Sequence, residues 1–470
     1  MDCFENAKIT KICCIGAGYV GALTSVVIAS KCPHIRVAVV DINESRIASW
    51  NSNELPLYEM QLKEILAKCR DKNLFFSTNV QAEIATSELI FISLNTPTKT
   101  AGLGAGLAAD TSAIEGATRM IAQYSSSSKI VVEKSTVPVK TAETIVDILK
   151  ANKPEVQFEV LSNPEFLAEG TAIEDLLNPD RVLVGSFKTS SSKIAVQKLV
   201  ELYQNWVPSE KIIQMNVWSS ELAKLAANAF LAQRISSINS LSAICEKTGA
   251  EIGQISHAIG LDSRIGPHFL NASLGFGGSC FQKDLLSLVY LAKSLNLPEV
   301  ANYWHQVVLM NEYQKRRFSE QIVKRLYGAV RGKKLAIFGF AFKANTTDTR
   351  ESPAKDVIKS LLKEGAQIVV FDPNVSKDQI FEELSFSSSS TVELSVAECP
   401  YSAAAEAHAI VIATEWPQFR FLDYQKLFQS MTKPAFVFDG RKTVDAEKLQ
   451  VIGFHVVVIG KRAAENSDFL

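Results

Sequence analysis

The chain has 470 residues, 47% hydrophobic and 21% charged, an ordinary globular composition with length for roughly three domains. Lys and Arg number 49 against 50 Asp and Glu, a formal net charge of −1, which argues against a basic footprint for nucleic acid and against an acidic, disordered chain. No apolar run reaches the ~18 residues of a membrane helix, Met1-Asp2-Cys3-Phe4-Glu5 has no secretory pattern, and the eight scattered cysteines show no CxxC pair or Cys/His metal spacing, so the expectation is a metal-free protein of the reducing cytosol with most cysteines packed as small core residues.

Strand-like and helix-like segments alternate over the first 200 or so residues. Strands are expected at Lys11–Ile15, Arg36–Asp41, Glu88–Leu94, Lys129–Glu133, Gln157–Leu161 and Arg181–Gly185, with helical patterns such as Tyr19–Ser30 and Thr141–Lys150 between them. That alternation predicts a parallel sheet covered by helices on both faces. From Trp218 the texture changes. Ser219 or Ser220 caps a stretch free of Gly and Pro to about Glu246, with Gly249 as its stop. Helices follow at about Gln282–Leu295 and Ala301–Tyr327, and the latter carries Lys315, Arg316, Arg317, Lys324 and Arg325, read as a solvated face. A second α/β unit begins at Lys334, with strands Leu335–Phe338, Gln367–Asp372, His408–Ala413 and Ala435–Asp439 and a helix Ala354–Glu364. Ser125–Ser128, Ser190–Ser192 and Ser387–Ser390 read as polar loops. The boundaries expected are a first α/β domain over 1–217, a helical linker over 218–328 and a second α/β domain over 329–470.

Five clusters and two further arginines are candidates to carry chemistry. Gly16-Ala17-Gly18-Tyr19-Val20-Gly21 follows a strand, opens a helix and precedes Asp41 by twenty residues. Such glycines allow a tight turn, backbone approach to a pyrophosphate and close helix–strand packing, and the helix N-terminus favours anions. Asp41 suits ribose hydroxyls and repels a 2′-phosphate, which favours NAD, although Arg46 could meet a phosphate. In Gly275-Phe276-Gly277-Gly278-Ser279-Cys280-Phe281-Gln282-Lys283-Asp284, three glycines bring backbone close to a ligand and a thiol opens a helix. The dipole there favours the thiolate, so Cys280 reads as a nucleophile. Ser162-Asn163-Pro164-Glu165-Phe166-Leu167-Ala168-Glu169-Gly170 lies beyond a strand's carboxyl end, where α/β sheets bind ligands; an ordinary helix start with exposed carboxylates fits equally. Lys224 and Asn228 share one helix face, and a surface lysine is the simpler reading of that pair. Phe340–Ser352 occupies the first crossover of the second unit without a GxGxxG, and Lys343 and Arg350 suit a nucleotide phosphate or a charged surface loop. Arg441 follows a strand, and Arg264 lies in a separate loop.

In this order, GFGGSCFQKD, SNPEFLAEGTA, WSSELAKLAANAFLAQRISSINS and GFAFKANTTDTRES resemble the UDP-glucose 6-dehydrogenases of the UDP-glucose/GDP-mannose dehydrogenase family, over nearly the whole chain from Ile12 to about Gly460. The resemblance implies two Rossmann-like doubly wound α/β domains joined by a long central helix that builds a dimer, with hexamers among animal members. It implies oxidation of the C6 alcohol of UDP-glucose to a carboxylate by two hydride transfers to NAD. By the same resemblance Cys280 is the nucleophile, Lys224 and Asn228 hold the oxyanion, Asp284 orients a water or assists the base, and Glu165 serves hydrolysis. The cofactor is met by Gly16–Gly21, Asp41, Arg46, Leu94, Asn95, Thr96, Pro97, Thr98, Ser135, Thr136, Glu169 and Arg350. The UDP-sugar is met by Glu165, Phe166, Leu167, Lys224, Asn228, Arg264 (toward a neighbouring subunit's substrate), Phe269, Leu274, Gly275, Phe276, Gly277, Gly278, Ser279, Phe342, Lys343 and Arg441. Two departures stand out: the loop 101–107 lacks the basic residues of animal members, and Asn271 replaces a lysine common in the family. A sister enzyme for GDP-mannose or a UDP-N-acetylhexosamine, and a sugar-nucleotide binding protein that has lost catalysis, are the competing readings; the set Cys280, Lys224, Asn228, Asp284 and Glu165 argues against the second.

Overall fold

The computed structural model describes residues 8–385 and 393–462. Cys3 and Ser387–Ser390 lie outside the described residues. The chain forms two compact units, Met1–Ala227 with Leu286–Leu297, and Asn228–Leu285 with Pro298–Leu470.

The first unit holds β1 (Lys11–Ile15), β2 (Arg36–Val40), β3 (Leu74–Ser77), β4 (Leu89–Ile92), β5 (Lys129–Glu133), β6 (Phe158–Ser162), β7 (Val182–Ser186) and β8 (Ile212–Asn216). Their order across the sheet is 3-2-1-4-5-6-7-8, so the order reverses at β1 and β4, the switch point where open α/β sheets place ligands. Successive strand residues point to opposite faces. Ile12 and Cys14 accordingly join the core on one face, with Val37, Val39, Phe91 and Val132. Cys13 and Ile15 join the other, with Val40, Ile90, Ile92, Val131 and Val160. Both faces are therefore apolar, which is why these strands read as continuous apolar runs.

The sheet is not wholly parallel. β7 pairs antiparallel with β6 through Leu161 with Ser186 and Ser162 with Gly185. The chain between them therefore does not cross back, and residues 163–181 stay at the carboxyl edge with a single short helix, Ala172–Leu177. That edge is where the Ser162–Gly170 segment is needed. β3 and β8 escape the sequence pattern because they are short and partly exposed, and Ser190–Ser192 is the first turn of a helix, Ser190–Tyr203, capped by Thr189, rather than a loop.

The helix expected after Trp218 spans Val217–Thr248. Its cap is Asn216, whose Oδ1 accepts the Ser219 N–H at 2.8 Å, not a serine. Ser220 is buried and its hydroxyl donates to the Ser162 carbonyl. Gly249 ends the helix at φ +84°, the left-handed position that glycine fills at helix C-termini.

The second unit contains the helices Phe281–Ser294 (to Leu285) and Pro298–Arg325 and a six-stranded parallel sheet: β9 (Lys334–Phe338), β10 (Gln367–Phe371), β11 (Leu394–Val396), β12 (Ala409–Ile412), β13 (Phe436–Asp439) and β14 (His455–Val458), in the order 11-10-9-12-13-14. The expected solvated face of Pro298–Arg325 holds for Arg316 and Lys324. Lys315 instead is buried between Glu312 and Asp356, at 2.6 and 2.5 Å, and Arg317 pairs with Glu246. Isolated charge in that interior would be costly, and each partner offsets it. Among the described residues no helix is long and apolar enough to cross a membrane.

Candidate active site

The first unit builds a dinucleotide cradle at its switch point. Gly16 has φ +112°, and a Cβ there would lie 2.2 Å from the Ser93 carbonyl oxygen. A Cβ on Gly21 would lie 2.2 Å from the Gly16 oxygen, so only glycine lets the turn and the helix Tyr19–Lys31 pack this closely. A Cβ on Gly18 would meet no heavy atom within 4 Å. Gly18 is the N-cap, no side chain caps this helix, and its first turn has no acid. Uncapped N–H groups facing open space, with the positive dipole end behind them, fit a pyrophosphate. Asp41, one residue past β2, accepts the Ala17 N–H at 3.0 Å and pairs with Arg46 at 3.2 Å. Arg46 thus answers Asp41, and its cationic reach softens the exclusion of a 2′-phosphate. Leu94 and Thr96 follow β4: the Leu94 N–H donates to Ser135 Oγ at 2.8 Å and the Thr96 hydroxyl to the Thr136 carbonyl at 2.6 Å. Asn95 and Pro97 are exposed, and Thr98 bridges Ala109.

Beyond β6 the Asn163 amide fixes the next segment. Its Nδ2 donates to the Leu183 carbonyl at 2.7 Å, and its Oδ1 accepts from Lys134 Nζ at 3.0 Å and the Tyr203 hydroxyl at 2.6 Å. Residues 163–168 are irregular, so the helix-start alternative for Glu165 falls away. Glu165 is buried, accepts the Leu167 N–H at 3.0 Å, and has Lys224 Nζ 3.3 Å from both its oxygens. Lys224 is itself only 4% exposed, which corrects the surface-lysine reading. Phe166 carries the Arg181 guanidinium 3.9 Å and Lys224 Nζ 5.3 Å from its ring centre, an arrangement in which the ring quadrupole attracts both cations. Glu169 is half-buried.

In the second unit Cys280 is exposed and directly precedes the helix Phe281–Ser294. Its carbonyl accepts the Asp284 N–H at 3.0 Å, the first helical bond, and its Sγ lies 3.4 Å from Ser279 Oγ. Cys13, Cys14, Cys32, Cys69 and Cys245 are buried as expected; burial pushes the Cys14 thiol up to about 12 and that of Cys32 to about 11. Cys399 is the exception, half-exposed at the cap of Pro400–Ala404. Asp284 is 1% exposed and accepts from Asn228 Nδ2 and from Lys283 Nζ, each at 2.6 Å. One hydrogen of the Asn228 amide is thereby committed, which orients the second.

The glycine loop is cut to fit backbone. Asn311 holds both the N–H and the carbonyl of Phe276, at 2.9 and 3.0 Å. A Cβ on Gly277 would lie 2.3 Å from the Glu351 oxygen, and Gly278 (φ +86°) would press one onto the Phe342 ring. The Gly278 N–H donates to the Arg350 carbonyl at 2.9 Å, and the Leu274 N–H to that of Gly440. This one network brings together Leu274, Gly275, Phe276, Gly277, Gly278, Phe342 and Arg441. The Arg441 side chain donates to the carbonyls of Ala413 and Phe342 at 2.8 and 3.0 Å and pairs with Glu415 at 3.3 Å. Lys343 Nζ sits 5.5 Å from the Phe342 ring centre. Arg350 turns its side chain to Asp348, and Arg264 is exposed and pairs with Asp262. Phe269, at φ +61° and partly exposed, sets its ring edge-on to Phe281, which packs in turn against Phe276 of the loop. Asn271 is exposed, and in the loop 101–107 Gly102, Gly104 and Gly106 all have positive φ.

Several positioning residues left no sequence signal. Asp372, after β10, accepts the N–H groups of Phe340 (2.7 Å) and Ala341 (3.1 Å) on one oxygen and those of Asn374 and Val375 on the other, fixing the crossover that carries Phe342 and Lys343. Asp439 does the same for the backbone around Arg441; burial pushes its carboxyl up, against the N–H groups of Val444, Arg441 and Thr443. Among the described residues no group of three or more His, Cys, Asp or Glu is placed to hold a metal ion.

Comparison with known proteins agrees with both units. Residues 10–207 match the NAD binding domain of the UDP-glucose/GDP-mannose dehydrogenase family, 218–313 its central domain and 336–446 its UDP binding domain. The chain is 57% identical over 459 residues to a UDP-glucose 6-dehydrogenase of Drosophila melanogaster, covering 96% of each chain, and 57% identical over 467 residues to UDP-glucose 6-dehydrogenase 4 of Oryza sativa subsp. japonica, covering 96% and 97%. A UDP-glucose dehydrogenase structure from Pyrobaculum islandicum superposes with a TM-score of 0.84 at 30% identity over 98% of this chain and 99% of that one. The chain belongs to the UDP-glucose/GDP-mannose dehydrogenase family.

Proposed function

We propose that this chain oxidises C6 of UDP-glucose to the carboxylate with NAD, through a thioester on Cys280. The observation that carries the covalent route is the exposed thiol at a helix start, followed by a buried Asp284 held by Asn228 and Lys283. UDP-glucose 6-dehydrogenase activity itself rests on relatives of that name that are 57% identical over nearly the full length.

NAD, when bound, takes a hydride from C6 in each oxidation. The residues do the rest. The uncapped helix start at Gly18 and the Asp41 carboxylate would hold the dinucleotide, Leu94–Thr98 would touch it, and Glu169, Ser135 and Thr136 would line its nicotinamide region. Cys280 adds its sulfur to the C6 aldehyde, giving a thiohemiacetal that retains the C–H needed for the second oxidation and keeps the aldehyde from escaping. Lys224 and Asn228, one helical turn apart, donate to the C6 oxygen as it becomes an oxyanion. Glu165 takes a proton from the water that cleaves the thioester, and its contact with Lys224 Nζ at 3.3 Å holds it in place. Asp284 orients the Asn228 amide. Phe276–Ser279, Phe342, Lys343 and Arg441 hold the UDP-sugar, with Arg264 serving a neighbouring subunit.

The domain division 1–217, 218–328 and 329–470 belongs to this proposal, as do a homo-oligomer and a cytosolic location in keeping with the scattered cysteines. The competing substrates are separated by an assay of NAD reduction with UDP-glucose, GDP-mannose and UDP-N-acetylhexosamines. UDP-glucose is expected to be turned over best. Turnover of another nucleotide sugar with UDP-glucose ignored refutes the assignment, and no turnover of any of them supports a binding protein.

A further inference from the structure

We propose that Glu59 is a positioning residue for the Glu165–Gly170 segment, tying it to the start of the dinucleotide helix so that cofactor cradle and hydrolytic carboxylate stay in register. The inference rests on the role proposed above for Glu165.

Glu59 lies in the irregular stretch before the helix Leu62–Cys69, far in sequence from every motif, yet it is only 5% exposed. A buried carboxylate needs partners, and its three partners come from two segments distant in sequence. The Tyr19 hydroxyl, on the first residue of the dinucleotide helix, donates to Oε1. The Gly170 N–H donates to the same oxygen at 2.5 Å, and also reaches the Tyr19 hydroxyl at 3.3 Å. The Ala172 N–H donates to Oε2 at 3.1 Å.

Each contact has a local reason. Ala172 is the first residue of the helix Ala172–Leu177, whose N-cap Thr171 turns its hydroxyl to Asp175 and caps no backbone N–H. Glu59 gives that helix its acceptor from a distance of 113 residues in sequence, and a carboxylate suits a helix N-terminus. Gly170 has φ +86°, a conformation open to glycine, which turns its N–H toward Oε1. Burial, the bond to Glu59 and the charges of Glu59 and Glu169 push the Tyr19 hydroxyl well above the usual phenol range. It stays a donor to Glu59 rather than a contact for the cofactor. The fingerprint residue Tyr19 therefore serves the cofactor through its backbone and the Glu165–Gly170 segment through its side chain.

The segment ends are thus fixed on two sides. Asn163 fixes the start, against Leu183, Lys134 and Tyr203. Glu59 fixes the end at Gly170 and Ala172. Glu165 lies between the two anchors, and misplacement of a catalytic group by about 1 Å lowers rate by up to about a hundredfold.

The test compares full-length wild type with Tyr19→Phe, which removes one hydroxyl and keeps the ring, and with Glu59→Gln and the double variant, by thermal melting, steady-state kinetics and stopped-flow NADH formation. Wild type must first turn over UDP-glucose; if it does not, the functional reading fails whatever the variants do. The expected result is a steady-state kcat lowered about tenfold or more in Glu59→Gln and less in Tyr19→Phe. The NADH burst is retained ahead of the slowed phase, and KM for UDP-glucose changes less than about twofold. The double variant is no worse than Glu59→Gln, because the two side chains act as one unit. Unchanged kcat and burst in Tyr19→Phe and Glu59→Gln, or a loss confined to KM for UDP-glucose, overturns the proposal. A loss of kcat that merely follows a lowered melting temperature in Tyr19→Phe does so too.

Discussion

At the scale of single residues, environment rather than type decides role. Seven described cysteines share one chemistry, yet five are sealed in cores and only Cys280 is both exposed and placed directly before a helix of 14 residues. The dinucleotide aspartate, the glycine loop and this thiol were legible because each needs a fixed residue at a fixed spacing. Lys224 was not. Its burial comes from Glu165, 59 residues away, and no local pattern reports a partner at that distance. Glu59, Asn163 and Asp372 escaped for the same reason. Replacing Cys280 by Ala is expected to cut uronate formation by roughly a thousandfold or more, as loss of a nucleophile does, while NAD still binds the cradle of the first unit. Uronate formed by the variant at a rate near that of the wild type would contradict the covalent route.

At the scale of elements, β5 holds a conflict that bears on stability. Its last residue, Glu133, is fully buried, and among the described residues its carboxyl has no hydrogen-bond partner but the Glu221 carboxyl, a bond that needs a proton on one of the two. Glu221 lies beside it and already accepts the N–H groups of Lys140 and Ala142, each at 2.8 Å, at the start of the helix Thr141–Asn152. Burial first, and then the Glu221 charge, push the Glu133 carboxyl well above its ordinary value; burial also raises Glu221. The folded pair therefore holds a proton more tightly than the unfolded chain does. Its contribution is fully present below the unfolded carboxyl value of ~4.3 and is lost as pH rises through the folded value. Glu133→Gln replaces the shared proton with a permanent amide donor. The variant is expected to gain melting temperature over wild type as pH rises from 5 to 8. A gap that stays constant or shrinks over that range would contradict this reading. The same strand illustrates what the sequence shows of an element: Lys129–Glu133 has the bounds its apolar run predicts, whereas β3, β8, β11 and β14, with three to five residues each, carry too little pattern to stand apart from loops.

At the scale of the molecule, the order of elements was legible and one direction was not. Alternating apolar runs foretold two α/β units, and a stretch free of Gly and Pro up to Gly249 foretold the long helix. The antiparallel β7 comes after a connection with one short helix, Ala172–Leu177, whose sequence does not announce the reversal, and its purpose shows only in what it leaves at the carboxyl edge. The second unit also leaves Phe230 and Ile244 57% exposed and Tyr303 54% exposed on its long helices. Exposed apolar side chains of that size are ones that self-association would bury. Sedimentation velocity at micromolar concentration is expected to give a dimer or larger assembly, reduced by Phe230→Glu; a monomer throughout would contradict it.

The central claim is that one carbon is oxidised twice on one enzyme with a sulfur bond between the two events. The direct test is the count of NADH formed per UDP-glucose consumed, taken to completion with NAD in excess. Two NADH per sugar, with UDP-glucuronate as the product, is the predicted result. One NADH per sugar, with free aldehyde in solution, would contradict it.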